Sequence, residues 1–359
     1  MLPVHTNETR KRCADSPAGS AGVMEPYSGP NPGVGTERDR VRVSRRRRAG
    51  TLRLRCIEGR RPVTDAPPPD FDVDEALAAR LVDAQHPDLA DEVRFVANGW
   101  DNAMFRLGDD LAIRMPRRRE ALDLMVHEQR WLPELAPRLP VAVPAPVRNG
   151  RPAPELGYDA PWSIVPWFRG ASGLAFDVAT RDVAVNALAS FVAELGATPA
   201  PADAPRNAWR GVPLAHRDDD VRSRLARGRI PGAAGLVPVW DRALAASGWS
   251  GPPVWLHGDL HPHNLLLAPS GALVAVVDFG DVTAGDPATD LATAWLTFGP
   301  SARRRFRAEL EERRGVDEAT WARARGWALV IASAVVDRAG PSGPFGTVAS
   351  SALEQVRLD

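Results

Sequence analysis

The spacing of apolar residues changes once along the chain, near Gly170, and this change limits the folds that the sequence can form. Before it, three short segments (93–97, 103–107 and 111–115) are separated by glycine-containing turns, as antiparallel strands joined in hairpins are. After it, most segments have the apolar spacing of helices. The sequence therefore predicts an α+β fold of two lobes, with a small, mainly β lobe followed by a larger, mainly α lobe.

Residues 1–69 differ in composition from everything that follows. They contain 14 Lys and Arg against 7 Asp and Glu, are rich in Pro, Gly and Ser, and lack apolar periodicity. Segments of this kind are typically disordered. We therefore expect a disordered basic extension at 1–69, a first lobe at 70–168 and a second lobe at 169–359. A basic tail can contact nucleic acid, but we expect an extension without a selected role and no nucleic-acid partner.

Cysteine and lysine are almost absent. The two cysteines, Cys13 and Cys56, and the only lysine, Lys11, all lie within 1–69. The two lobes therefore offer no thiol for a disulfide, a zinc–thiolate site or a cysteine nucleophile. No apolar run approaches the roughly 20 residues that a membrane span needs, and the first residues carry no apolar core of a secretory signal. We expect a cytoplasmic protein without a membrane partner.

The segment 257–264 carries the most informative side chains, together with Asp278. Two apolar runs flank a Pro-Ser-Gly turn between Asn264 and Val277, which predicts a hairpin that places Asn264 opposite Val277 and beside Asp278. Asp259 lies five residues before Asn264. Two carboxylates and one amide are hard oxygen ligands, suited to magnesium that is bound together with substrate phosphates. Phosphoryl transfer needs such a set of ligands and a base that orients the attacking hydroxyl.

The sequence HGDLHPHN at 257–264, followed by DFG at 278–280, keeps the spacing of the kinase signature H-R-D-x-x-x-x-N and D-F-G, with glycine in place of arginine. With GDPATDLA at 285–292, the pattern resembles the aminoglycoside phosphotransferase and choline kinase family of the kinase-like fold. The resemblance covers roughly residues 93–338. It implies a protein-kinase-like two-lobed fold, in which the first lobe binds the nucleotide and the second carries the catalytic and acceptor-binding groups.

The resemblance implies a role for each matching residue of the second lobe. Asp259 corresponds to the catalytic base, and Asn264 and Asp278 correspond to the magnesium ligands. His257 corresponds to a structural residue that hydrogen-bonds within the catalytic loop. Asp290, in the helix that follows, would support the backbone of that loop.

The first lobe should hold the nucleotide. Kinase-like proteins place a strand lysine on the α- and β-phosphates and pair it with a helix glutamate. The corresponding strand here presents Arg114, which can grip phosphate oxygens as a permanent cation. Its expected partner is Glu128, with Glu120 in the same predicted helix as the alternative. The loop that contains Gly99 and Asn102 lies where a phosphate-covering turn belongs.

The strand predicted at 162–168 would connect the lobes and meet the adenine, with Val165 and Trp167 as the expected contacts, while Pro166 lacks a backbone donor. Taken together, the resemblance implies an ATP-dependent small-molecule kinase, with GTP as a possible donor. It implies Mg²⁺ as the cofactor and a small hydroxylated molecule as the acceptor.

Two alternatives stay open. A kinase fold without lysine and with few glycines in its loop could bind a nucleotide without transferring phosphate. The spacing of His257, His261 and His263 could instead bind zinc, with Asp259 as a fourth ligand, in a metal-dependent hydrolase. Magnesium-dependent turnover would separate the first alternative from a kinase, and stoichiometric zinc would identify the second.

Overall fold

A computed structural model describes residues 68–359, which lie in one compact unit. Nearly all of the predicted extension at 1–69 is therefore outside the described residues. Between residues 68 and 359 the strands are β1 Val93–Asn98, β2 Asn102–Leu107, β3 Leu111–Pro116, β4 Arg148–Gly150, β5 Trp162–Pro166, β6 Ala171–Ser172, β7 Val254–Leu256, β8 Leu265–Leu267, β9 Leu273–Val276 and β10 Thr283–Gly285. The α-helices of the same range are α1 Glu75–Gln85, α2 Leu122–Leu135, α3 Val178–Arg181, α4 Val185–Ala197, α5 Asp218–Ala226, α6 Ala233–Ala245, α7 Ala288–Leu291, α8 Thr293–Thr297, α9 Pro300–Arg314, α10 Glu318–Ala339 and α11 Gly343–Leu358.

The small lobe is an antiparallel sheet with strand order β1-β2-β3-β5-β4. The three strands predicted between residues 93 and 115 are present, each within one residue of its predicted ends. Ile113 of β3 faces the core shared with Leu81 of α1. Because side chains alternate along a strand, Ala112 and Arg114 point to the opposite face of the sheet. This alternation aims Arg114 at the larger lobe.

Helix α2 belongs to both lobes. Its Glu128 faces Arg114 of β3 in the small lobe. One turn later Trp131 packs on Trp255 of β7, with ring centroids 5.1 Å apart, and Leu132 lies in the core of the large lobe. A helix with one polar face toward the sheet and one apolar face toward the other core fixes the two lobes to each other.

The large lobe is mainly helical and contains the predicted hairpin. Strands β8 and β9 pair with Leu265 opposite Val276, and the N–H of Val277 donates to the carbonyl of Asn264 (2.9 Å). The predicted register of Asn264 and Val277 is confirmed. The hairpin packs on a core around α4, α9 and α10, in which Phe191, Phe306 and Trp327 are fully buried.

Some elements differ from the sequence-based expectation. The apolar spacing of residues 177–195 predicts one continuous helix, but a 3₁₀ turn at Asp182–Ala184 interrupts it. The sequence did not predict α11 or the short strands β4, β7 and β10. Three-residue strands are too short to show alternation, and α11 begins with Gly-Pro, a pair that resembles a turn. Within residues 68–359, every helix is too short or too polar to cross a bilayer.

Candidate active site

The HGD loop, residues 257–264, is held by one buried carboxylate. Asp290 of α7 accepts hydrogen bonds from the backbone N–H groups of His257 (2.7 Å) and Gly258 (2.9 Å). Gly258 has a φ of +87°, and a Cβ at this position would lie 2.3 Å from the backbone oxygen of Asp281. Only glycine fits both the conformation and the close approach, which gives a physical reason for the glycine where the kinase signature has arginine.

His257 links the HGD loop to the β8–β9 hairpin. Its Nδ1 accepts from the N–H of Asp259 (3.2 Å), and its Nε2 lies 3.0 Å from the carbonyl oxygen of Val277. Since Nδ1 accepts, the proton is on Nε2, which donates to that carbonyl. Both ring nitrogens of this buried imidazole are therefore engaged within the protein, and His257 has a structural position.

Asp259 is surrounded by donors. Arg210 Nη2 donates to Oδ1 (3.1 Å), and His261 Nε2 lies 3.1 Å from Oδ2. Asn264 Nδ2 donates to the backbone oxygen of Asp259 (2.8 Å) and to Oδ2 (3.3 Å). Burial alone would raise the pKa of Asp259, but the adjacent His261 imidazole and Arg210 guanidinium outweigh burial and hold the pKa well below its usual range. The group is a fixed carboxylate.

Asn264 and Asp278 have the donor atoms that a hard cation needs. Because the amide nitrogen of Asn264 is directed to Asp259, its Oδ1 is the end left for a cation. The Asp278 side chain is 56 % exposed, and its Oδ1 lies 3.6 Å from Arg114 Nη2. Asp278 also has a φ of +67°, which among residues 68–359 no other non-glycine residue adopts in the left-handed region. Such backbone strain is often found at functional sites. The two oxygen donors fit a site for Mg²⁺ together with phosphate oxygens.

Arg114 is paired with Glu128, and both side chains are buried. Burial raises the pKa of Glu128 to about 7 despite the adjacent guanidinium. Burial opposes the charge of Arg114, but Glu128 and Asp278 outweigh it and raise the pKa of Arg114. The alternative partner, Glu120, is exposed and forms an ion pair with Arg118 instead. Glu128, not Glu120, is therefore the partner of Arg114.

The loop that contains Gly99 and Asn102 is a closed hairpin turn. The N–H of Gly99 donates to the carbonyl of Asn102 (2.8 Å), and the carbonyl of Gly99 accepts from Arg117 (2.9 Å). The backbone of Gly99 is thus engaged within the turn, and contact of this loop with the phosphates stays a prediction. Asn102 Oδ1 is buried and has no hydrogen-bond partner among residues 68–359. Asp101 lies near Asp278, and burial, with that carboxylate, raises the pKa of Asp101.

The backbone groups of Val165 and Trp167 are directed toward β3. The N–H of Trp167 donates to the carbonyl of Asp110 (2.8 Å), and Val165 pairs with Ala112 of β3. The backbone groups of both residues on this side are therefore engaged within the sheet, and contact of Val165 and Trp167 with the nucleotide stays a prediction. The Val165 side chain shares the face of Ala112, whereas the Trp167 ring is covered by Arg106, 4.4 Å from its centroid.

The three histidines do not form a zinc site. Both ring nitrogens of His257 are engaged, and His261 Nδ1 accepts from the N–H of His263 (3.2 Å). In the part of the chain from 68 to 359, no group of three or more His, Cys, Asp or Glu side chains is arranged to hold a metal ion. The zinc-hydrolase hypothesis therefore lacks its ligand set.

Two contacts of the site could not be predicted from the sequence. Arg210, which reaches Asp259, is 49 residues away from it along the chain. The guanidinium of Arg338, at the end of α10, lies 4.0 Å from the ring centroid of Trp100 in the β1–β2 turn. Neither arginine lies in a motif or has a distinctive spacing, so the sequence contained no signal for either contact.

Comparisons with known proteins identify the family of this chain from a sequence profile and its fold from solved structures. The profile of the phosphotransferase enzyme family (APH) matches residues 92–327. The GDP complex of wild-type aminoglycoside 2'-phosphotransferase-IIIa aligns with a TM-score of 0.57 and 19% identity, over 80% of this chain and 99% of that chain. The GDP and kanamycin complex of APH(2")-IIIa aligns with a TM-score of 0.57 and 20% identity, over 78% of this chain and 98% of that chain.

A third structure, apo macrolide 2'-phosphotransferase MphH from Brachybacterium faecium, aligns with a TM-score of 0.50 and 25% identity, over 78% of this chain and 98% of that chain. A search of curated protein sequences finds no significant match. The family profile covers more than half of the chain, and the two-lobed kinase-like fold agrees with it. This chain therefore belongs to the phosphotransferase enzyme family and is a phosphotransferase.

Proposed function

We propose that the protein transfers the γ-phosphoryl group of ATP or GTP to a hydroxyl of a small molecule, with Mg²⁺ as the cofactor. The observations that support this proposal are three contacts: Asn264 Nδ2 lies 3.3 Å from Asp259 Oδ2, the N–H of Val277, next to Asp278, donates to the carbonyl of Asn264, and Asp278 Oδ1 lies 3.6 Å from Arg114 Nη2. A carboxylate base, two oxygen ligands and a permanent cation are the groups that phosphoryl transfer requires.

Asp259 is the proposed base. The acceptor oxygen forms a bond to the γ-phosphorus while the bond from that phosphorus to the β,γ-bridging oxygen breaks, so that the nucleoside diphosphate leaves and the hydroxyl proton passes to Asp259. A carboxylate with a depressed pKa is a weak base. That is sufficient here, because the transition state of phosphoryl transfer is loose and depends on orientation more than on base strength.

Asn264 Oδ1 and the Asp278 carboxylate would hold Mg²⁺, which supplies charge neutralisation on the phosphates when it is bound. Arg114 would grip the α- and β-phosphates, and its pairing with Glu128 supports this role by fixing the direction of the guanidinium. His257 and Asp290 would keep the HGD loop in shape through the hydrogen bonds to its backbone.

The nucleotide base is proposed to meet the backbone of Pro166. The N–H of Trp167 is directed to β3. Since backbone groups alternate in direction along a strand, the carbonyl of Pro166 is directed away from β3, to the side on which β4 pairs with β5 only as far as Ile164. The absence of a backbone N–H at Pro166 does not weaken this arrangement, because the nucleotide base would contact only the carbonyl of Pro166.

The acceptor is proposed to be a small hydroxylated molecule. Kanamycin is bound in one of the similar structures and another is a macrolide phosphotransferase, so aminoglycosides and macrolides are the first acceptors to test, and modification of an antibiotic is the corresponding biological role. Amino alcohols and sugars belong in the same panel. A cytoplasmic location without a nucleic-acid or membrane partner remains a prediction.

The test is Mg²⁺-dependent transfer of labelled γ-phosphate from ATP and from GTP to this panel, by the wild-type protein and by Asp259→Asn. Removal of the base should lower turnover by about 10²–10⁴-fold, while the affinity for the nucleotide is retained. Asp83→Asn, an exposed carboxylate of α1, is the matched control and should have wild-type turnover. Wild-type turnover by Asp259→Asn would exclude Asp259 as the base. Nucleotide binding without transfer to any acceptor would instead favour a binding module.

A further inference from the structure

Arg210 reaches Asp259 from a connecting segment, residues 198–213, that carries no sequence motif. The first half of the segment is tied to β10. Thr283 Oγ1 accepts from the N–H of Asn207 (3.0 Å) and donates to the carbonyl of Pro205 (2.9 Å). The backbone that precedes Arg210 is therefore fixed against the large lobe.

The residue after Arg210 is fixed as well. Gly211 donates its N–H to Thr289 Oγ1 (3.1 Å), and its carbonyl accepts from the N–H of Asp286 (2.9 Å). A Cβ at Gly285 would lie 2.2 Å from the oxygen of Gly211, so the two backbones are in direct contact. The backbone is thus anchored both before and after Arg210, and this fixes the position from which the Arg210 side chain reaches Asp259.

The guanidinium of Arg210 holds the oxygen of Asp259 that the HGD loop leaves free. The side-chain donors from the loop, His261 Nε2 and Asn264 Nδ2, are both directed to Oδ2, whereas Arg210 Nη2 is the donor on Oδ1 (3.1 Å). Burial opposes the charge of Arg210, but Asp259 and Asp281 outweigh burial and raise the pKa of the guanidinium. The contact is therefore a charge-assisted hydrogen bond, which is stronger than a neutral one.

We propose that Arg210 is a positioning residue for Asp259, whose carboxylate it fixes in the orientation that receives the proton of the acceptor hydroxyl. The inference rests on the proposed function, in which Asp259 is the base. Without a donor on Oδ1 the carboxylate is held only at Oδ2, so its plane is less well fixed. Misorientation of a catalytic group lowers the rate of the chemical step more than it lowers substrate binding.

The test compares Arg210→Met and Arg210→Lys with the wild-type full-length protein. The assay follows release of phosphate from Mg²⁺-ATP and Mg²⁺-GTP, with water as the acceptor, and transfer to the best acceptor of the panel. Arg210→Met should lower kcat at least tenfold and leave KM for the nucleotide within twofold. Because one guanidinium nitrogen makes the contact, lysine can supply the same single donor, and Arg210→Lys should recover part of kcat.

Arg206→Met is the matched control, since Arg206 is exposed and belongs to the same segment, and it should have wild-type kcat and KM. Thermal unfolding of each variant shows whether it is folded. A wild-type kcat in Arg210→Met overturns the proposal, and so does a kcat in Arg210→Lys that is as low as that of Arg210→Met while both variants unfold at the wild-type temperature.

A double mutant separates action through Asp259 from any other effect. If Arg210 acts through the carboxylate, Arg210→Met should lower the residual turnover of Asp259→Asn by less than twofold. A full tenfold loss in that background would contradict the positioning role. A wild-type protein that transfers no phosphate to water or to any acceptor rejects the proposed function, whereas an active wild type with an equally active Arg210→Met rejects the positioning role alone.

Discussion

Arg114 occupies the strand position where kinase-like proteins carry a lysine, and two carboxylates of the site lie beside its guanidinium. Glu128 holds one nitrogen, and Asp278 lies 3.6 Å from the other. Arginine cannot lose its charge at any pH at which proteins fold, so it stays positive although it is buried. A permanent, forked cation is a suitable grip for phosphate oxygens.

Arg114→Met should weaken nucleotide binding by roughly 10–150-fold, since a hydrogen bond to a charged group contributes about 1.5–3 kcal/mol. Titration calorimetry with Mg²⁺-ATP and Mg²⁺-GTP measures the change. Glu128→Gln should weaken binding in the same direction because the guanidinium loses its fixed partner. Glu120→Gln is the control, since Glu120 is exposed on the same helical segment, and it should bind like wild type. Unchanged affinity in Arg114→Met would remove this residue from the nucleotide site.

Among the elements, the HGD loop shows most directly how the backbone conformation limits which residue type can occupy a position. Its shape requires a positive φ at Gly258 and leaves no room for a side chain beside Asp281. The chain also contains a glycine with the same φ and no such neighbour: Gly157 has a φ of +87° and nothing within 4 Å of a Cβ built on it. Substitutions at Gly157 and Gly258 therefore separate the free-energy cost of the left-handed conformation from the cost of the steric clash with Asp281.

Gly157→Ala should lower the free energy of unfolding by roughly 1–2 kcal/mol, the cost of a left-handed conformation for a residue with a Cβ. Gly258→Ala should lower it by at least roughly 1 kcal/mol more, because its Cβ also overlaps a backbone oxygen. Urea denaturation of both variants gives the comparison. Equal losses would mean that the HGD loop can move away from Asp281 at no cost.

The elements also show what a sequence can predict. Asp259, Asn264 and Asp278 could be identified because a short loop and a hairpin register relate them locally. The direction of the β5 backbone groups could not be predicted, since the side of the strand that pairs with β3 depends on a register that the residues 162–168 do not encode by themselves. Arg210 was missed because its position depends on tertiary hydrogen bonds to β10 and α7.

At the scale of the whole molecule, the site joins the two lobes. Helix α2 contributes Glu128 to the sheet and Trp131 to the large core, and the stacking of Arg338 on Trp100 connects the end of α10 to the β1–β2 turn. Protonation of partly or fully buried histidines should therefore change the stability of the fold. Two of them, His261 at the site and His127 of α2, have pKa shifts of opposite sign.

Burial lowers the pKa of His261, but Asp259 outweighs burial and raises it above the ordinary value of 6.5. Burial lowers the pKa of His127 below 6.5. A raised pKa gives stability that is complete below pH 6.5 and is lost as the pH rises through the folded-state pKa. A lowered pKa gives stability that is present above pH 6.5 and is lost as the pH falls through the folded-state pKa. Wild type should therefore lose its advantage over His261→Gln at high pH and its advantage over His127→Gln at low pH.

Chemical denaturation of the three proteins between pH 5 and about pH 9 gives the free energies of unfolding that this comparison needs. If the differences in unfolding free energy between wild type and the two variants changed in the same direction with pH, the opposite pKa shifts assigned to His261 and His127 would be contradicted. A difference for His261→Gln that does not vary with pH would mean that the imidazole and Asp259 do not interact in the folded protein.

The guanidinium at position 114 also determines how an enzyme of this kind can be detected. Nucleotide analogues that acylate amines label the lysine found in most kinase-like sites, but an arginine is protonated and is not a nucleophile under the same conditions. The only lysine of this sequence, Lys11, lies outside the described residues. Such reagents would find no lysine to modify among residues 68–359, so amine labelling is poorly suited to detecting nucleotide binding by these two lobes.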